Sequence, residues 1–154
     1  MRGLTCLMLI TLAGAAPAPP GAFRTVPVDA VQWRPLPGSH GVESALIAGN
    51  PSQPGTYVIR VKFPPHVMDR PHRHNRDRHV TVLQGRWFAG TGPDFAPGAA
   101  VALPAGSYMF HPAGGVHWDG SNSDDTVIVQ IIGEGPVASE DIDPALPSWV
   151  KLPG

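Results

Sequence analysis

Residues 56–63 (TYVIRVKF) alternate with period two and stop at Pro64-Pro65, the pattern of a half-buried β-strand. Shorter runs of the same kind cover residues 79–83, 86–89, 99–103, 107–110, 116–118 and 126–132, and a further short strand is expected over 31–36. Each run is bounded by Gly, Pro, Asn or Asp, and residues 49–55 (GNPSQPG) form a strong turn signal. Past the first 20 residues no stretch of about 12 has helical periodicity, and no repeat is evident. Short strands at close spacing predict an all-β sandwich or closed barrel. A jelly roll, which protects its edges, is one such solution. The pattern alone does not separate it from an immunoglobulin-like sandwich.

The N-terminus reads differently. Arg2 supplies a positive start, residues 4–12 (LTCLMLITL) an apolar run, and Ala13-Gly14-Ala15-Ala16 small residues for cleavage. A spanning helix needs about 20 apolar residues, and Pro17, Pro19 and Pro20 end this run well short of that. Residues 1–20 are therefore expected to be a secretory signal with the start of a linker, and 21–30 the rest of the linker. The implied location is periplasmic or extracellular, with no membrane attachment after signal removal. Cys6, the only cysteine, falls inside this segment, so a processed chain has no thiol nucleophile or thiolate ligand.

Composition narrows the picture. Nineteen prolines and 18 glycines among 154 residues, with 42% hydrophobic content, suit many strands joined by tight turns. A chain of this length buries a real core without disulfide staples. The formal charge is -1 and no basic run or RNA-reading motif occurs, so no nucleic-acid partner is expected. No nucleotide-binding glycine loop, G-x-S-x-G elbow or paired catalytic carboxylates occur either.

The candidate chemistry lies in histidines. His72 and His74 are two apart, so on a strand they point to one side, about 7 Å apart along the chain. Both imidazoles can then reach one ion at ~2.1 Å from each nitrogen. Downstream, Pro112 and Gly114 form a tight turn before His117, which can face inward from the next strand.

Together these blocks resemble the cupin superfamily, whose motifs are H-x-H-x(3,4)-E-x6-G and G-x5-P-x-G-x2-H-x3-N. Gly106, Pro112, Gly114 and His117 match the second, with Ser121 in place of Asn, and His72, His74 and Gly85 match the first. Residues 80–85 (VTVLQG) also resemble the "HVTVLSG" segment of small, often secreted, cupins. The resemblance covers roughly residues 31–136. It implies a double-stranded β-helix, the jelly-roll cupin barrel, and a homodimer. Residues 137–154 are turn-rich and are expected as a tail packed on the barrel through Leu146, Trp149 and Val150.

One position departs from the motif. Arg78 stands where the ligating Glu is usual, and a guanidinium has no lone pair to give. His79 is next to it. Strand alternation sends His79 to the opposite face, whereas a one-residue bulge would turn it inward. The metal site is thus either His72, His74, His79 and His117, or His72, His74 and His117 with Arg78 beside the ion or turned to solvent. Asp77 is a weaker carboxylate alternative. His66 and His111 are expected at the pocket mouth, on the surface or satisfied in the interior. All-imidazole ligation suits Zn, Fe, Ni, Cu or Co and disfavours Mg and Ca. The functional expectation is a metal-binding protein acting on or binding a small organic molecule, as a metal-dependent dioxygenase, isomerase or lyase. The alternative is a non-enzymatic ligand-binding, metal-binding or sensor module with a degenerate site; no catalytic residue is assigned.

Overall fold

The alternating run at 56–63 forms a nine-residue strand, Gly55–Phe63, whose odd-numbered side chains Tyr57, Ile59, Val61 and Phe63 turn toward the core. The structure is a computed structural model that describes residues 21–154. The expected signal segment lies outside the described residues. The strands are β1 Arg34–Pro35, β2 Glu43–Ala48, β3 Gly55–Phe63, β4 Val67–Asp69, β5 His72–His74, β6 Arg78–Gln84, β7 Arg86–Thr91, β8 Val101–Pro104, β9 Tyr108–His111, β10 His117–Gly120, β11 Val127–Gly135, β12 Ser139–Asp141 and β13 Trp149–Lys151. Helix among the described residues is confined to two three-residue 3-10 turns, Val28–Ala30 and Pro97–Ala99, and none is long and apolar enough to cross a membrane.

Two antiparallel sheets carry the fold, as expected of a jelly roll. The first runs β1-β2-β3-β11-β6-β9. The second runs β12-β5-β10-β4-β13, with β7 also bonded to β10 and β8 bonded to β7. Val80, Val82, Trp87, Val127 and Val129 fill the core between them. Trp87 is almost wholly buried, and a large apolar side chain so placed contributes about 1.5–3 kcal/mol over an exposed one. Outward positions of the same strands are polar or half-exposed, so the period-two pattern and the sheet faces agree.

The differences from expectation are local. The strand expected at 31–36 shrinks to Arg34–Pro35. The one expected at 99–103 starts later, because Pro97–Ala99 closes a 3-10 turn first. Residues 137–154 do more than lie on the outside. Strands β12 and β13 join the second sheet beside β5 and β4, and Trp149 packs 6.1 Å from Phe63. Strands of three residues between prolines are too short to show a period.

Candidate metal centre

Three strands of the second sheet bring the histidines together. β10 pairs antiparallel with β5 so that His117 stands opposite His72. β12 pairs with β5 on its other edge, placing Ser139 opposite His74. His72 and His74 share a face of β5 and are both buried, with Arg73 exposed between them. The ligating nitrogens of His72, His74 and His117 all lie within 4.8 Å of one another.

Neighbouring groups set the orientation of each ring. Nδ1 of His72 lies 2.8 Å from the Arg70 carbonyl, and Nδ1 of His117 lies 3.0 Å from the Gly115 carbonyl. A carbonyl only accepts, so both rings carry their proton on Nδ1 and keep the Nε2 lone pair for the cluster. Nδ1 of His74 meets the Ser139 hydroxyl at 2.9 Å, which allows the same tautomer. Fixing the ring through its other nitrogen is what metal-binding histidines usually do. Nε2 of His72 and Nε2 of His74 stand 3.2 Å apart. Two lone pairs at that distance repel unless a cation lies between them, and ligation of one ion at ~2.1 Å from each nitrogen fits the spacing. The triad can hold a transition-metal ion.

Burial keeps the His74 and His117 rings neutral. It pushes His74 down to about 2, helped by the Arg78 charge, and His117 down to about 3, helped by His72. Neutral imidazole is the ligating form.

His79 is not brought into the cluster, so of the four-histidine arrangement the structure groups only His72, His74 and His117. It lies on the exposed face of β6, with Nδ1 2.7 Å from the Tyr108 hydroxyl and its ring against Phe110. The β6–β11 register does slip, but between Ile128 and Val129, beyond Val82 from the site. Alternation therefore holds at Arg78 and His79, and it is Arg78 that points inward. Its Nη1 donates to Nε2 of His74. Asp77 accepts the Ala113 amide at 2.7 Å and so pins the turn before His117 instead of entering the site. His66 pairs with Asp124 at 2.8 Å, away from the cluster.

Several groups at the site carry no sequence motif. His111 is buried with its ring centroid 3.8 Å from that of His117 and 5.9 Å from that of Trp87, and neither ring nitrogen has a partner. Together with His117 and Asp119 it forms a second possible ligand group. Burial and the neighbouring charges of His117 and Arg78 push its pKa down to about 2. Asp69 and Asp119 are the buried carboxyls. Asp69 accepts the Asp119 amide at 2.6 Å and lies 3.7 Å from Nε2 of His72. Asp119 accepts Trp87 Nε1 at 2.9 Å. Burial raises both to about 8, mutual repulsion adds to the rise at Asp119, and Arg78 works against it at both. Only the alternation H-x-D at residues 117–119 could have flagged Asp119; Asp69 is joined to the site by β4–β10 pairing alone.

These groups line one cavity of about 440 Å³ between the two sheets, which also takes in Tyr57, Trp149 and core valines. The size is that of a small-molecule site.

Residues 22–138 match the family model of the ChrR cupin-like domain. No curated protein matches the sequence. Solved structures do. The polyketide cyclase RemF from Streptomyces resistomycificus superposes with a TM-score of 0.64 at 18% identity, covering 80% of this chain and 89% of that one. An RmlC-like cupin protein from Ralstonia eutropha gives 0.61 at 20% identity, with 79% and 74% covered. KdgF from a Halomonas species gives 0.58 at 16% identity, with 74% and 96% covered. At such identities the likeness is one of fold.

Proposed function

The chain belongs to the ChrR cupin-like family of the cupin superfamily, and from that premise we propose that it is a metal-dependent cupin that binds and transforms a small organic molecule. The carrying observation is the trio of Nε2 lone pairs on His72, His74 and His117, oriented by Arg70, Ser139 and Gly115 and facing a cavity of about 440 Å³. Cupin relatives act on small molecules, and a bound ion of Zn, Fe, Ni, Cu or Co would supply Lewis-acid or redox chemistry there. The chain's own residues do the rest. The His74 and His117 imidazoles stay neutral and available for ligation. Asp69 and Asp119, raised toward neutrality, can hold or release a proton beside His72. Trp87 fixes the Asp119 carboxyl. Proton transfer next to a polarised carbonyl or enol suits isomerase or lyase chemistry, and an ion able to bind dioxygen would extend it to dioxygenation.

One observation favours a second reading. Arg78 donates to the same His74 lone pair that an ion requires. If no metal displaces it, the protein is a non-enzymatic ligand-binding or sensor cupin with a degenerate site. Elemental analysis of the purified protein, followed by calorimetric titration with Zn, Ni and Fe, separates the two. Oxygen uptake with catechols and flavonols, and isomerisation of hydroxy-carbonyl compounds, are then screened with each metal. Flat metal titrations would overturn the metal reading; metal binding without turnover would favour the binding module.

Export and dimerisation belong to the same proposal. Export is supported by Arg2, the apolar run at 4–12 and the small residues at 13–16. N-terminal sequencing after fractionation of the producing cell tests it. A homodimer is supported by exposed Tyr108, Phe110 and Ile132 on the outer face of the first sheet. Sedimentation of the parent and of Phe110→Glu tests that.

A further inference from the structure

Strands β3, β11, β6 and β9 lie side by side, and their register puts Tyr57, Gly133, Arg78 and His111 in one line across the inner face. Gly133 has no side chain, and Tyr57 lies over it: a Cβ there would stand 2.7 Å from the phenol oxygen. The phenol thus reaches across β11 toward Arg78, close enough for the two groups to feel each other's charge.

Both are donors without an acceptor. Tyr57 Oη and Arg78 Nε are buried and have no hydrogen-bond partner. Buried polar groups are nearly always satisfied, so two such donors in one row mark a place for an acceptor. Among the described residues the ion pairs are Glu43–Lys62, Asp124–His66, Asp69–His72 and Glu140–Arg73, and none includes Arg78. The nearby carboxyls are already engaged, Asp119 with Trp87 and Asp69 with the Asp119 amide. Arg78 spends Nη1 on His74, which leaves the Nε edge of its fork.

We propose that this row anchors the carboxylate of a small organic acid, received by the Nε edge of Arg78 and the hydroxyl of Tyr57. A planar guanidinium edge matches a planar carboxylate through two parallel hydrogen bonds. The ligand's remaining atoms lie in the cavity toward the three imidazoles. The inference rests on the proposed small-molecule function and names its substrate class, but the anchor uses residues outside the His72, His74 and His117 triad.

Calorimetric titration of the purified protein with acetate, malonate and succinate, zinc-free and zinc-loaded, tests it. Succinamide and inorganic phosphate serve as comparisons. Saturable binding of a carboxylate is expected, with succinamide at least about tenfold weaker. Arg78→Gln should lower carboxylate affinity at least about tenfold and Tyr57→Phe about fivefold, with the far-ultraviolet spectrum unchanged. If Arg78→Gln does not fold, Tyr57→Phe carries the test, because it keeps the ring over Gly133. Phosphate binding tighter than every carboxylate, or Tyr57→Phe binding carboxylates as the parent does, overturns the proposal. Zinc binding with no carboxylate binding in either form overturns it and leaves the metal reading standing. Carboxylate binding in a protein that takes no metal does the reverse.

Discussion

Arg78 donates through Nη1 to Nε2 of His74, the nitrogen whose lone pair faces His72 at 3.2 Å. The guanidinium therefore occupies a lone pair that the metal reading assigns to an ion, and it adds a positive charge where a dication would sit. At an effective dielectric of about 20, unit charges 4 Å apart interact by roughly 4 kcal/mol. Arg78→Glu reverses the sign and restores a ligating carboxylate. Its zinc dissociation constant should fall at least about tenfold, equivalent to about 1.4 kcal/mol, in a calorimetric titration. Equal affinity in parent and variant would show that Arg78 does not oppose the ion.

The two faces of β6 and the pairing of β5 with β10 make a contrast between histidines. His72→Ala removes one of three ligands and should weaken metal binding about 100-fold or more. His79→Ala, on the exposed face against Tyr108 and Phe110, should leave it within about twofold, since it only loses an exposed contact. Zinc titrations of both variants decide between three and four histidines.

Stability of the metal-free protein should peak near pH 6.5. His74, His111 and His117 fall from 6.5 to about 2, 2 and 3 on burial, so below pH 6.5 the unfolded chain binds more protons at these three groups and stability drops with falling pH. Asp69 and Asp119 rise from 3.8 to about 8, so the folded chain binds more protons at these two groups between pH 3.8 and 8 and their contribution is lost as pH rises toward 8. Three groups outweigh two on the acid side, and the two act alone on the alkaline side. Melting temperatures from pH 5 to 9 in the presence of chelator check this. A steady rise across the whole range would contradict the raised carboxyls.

Trp87 holds Asp119 with a buried 2.9 Å hydrogen bond. Trp87→Phe keeps most of the apolar volume but leaves the carboxyl short of a donor, at a cost of about 1–3 kcal/mol. Denaturant unfolding measures it, and a change below about 0.5 kcal/mol would mean the bond contributes little.

Gly133→Ala sets a methyl against the Tyr57 phenol oxygen, 2.7 Å away before relaxation. Overpacking of this kind typically costs about 1–3 kcal/mol. The displaced phenol should also weaken carboxylate binding, so unfolding and ligand titrations of this variant should move together.

The period-two run at 56–63 and the turn residues around each shorter run made the all-β class legible in the sequence. The glycine and proline spacing of the second histidine block carried the resemblance that implied the barrel. Strands β12 and β13 were not legible, because three residues between prolines show no period. Among the site residues, His72, His74 and His117 were legible from motif spacing. Asp69 and Tyr57 were not, since each reaches the site through pairing with strands distant in sequence.

What the sequence offered by itself was His72, His74 and His117 as candidate ligands and, through the resemblance their motifs carry, the barrel that holds them, because the H-x-H and P-x-G-x2-H spacings are local in the chain. It left Arg78 and His79 open, since alternation and a bulge predict opposite faces for the same two residues. Tertiary structure decided that point. The β6–β11 register slips only near Val129, so Arg78 turns inward beside His74 and His79 turns out to Tyr108. Which face a strand residue takes depends on where along the pairing of β6 with β11 the extra residue falls, here at Leu83 beyond Val82, and that pairing joins segments about 50 residues apart in the chain.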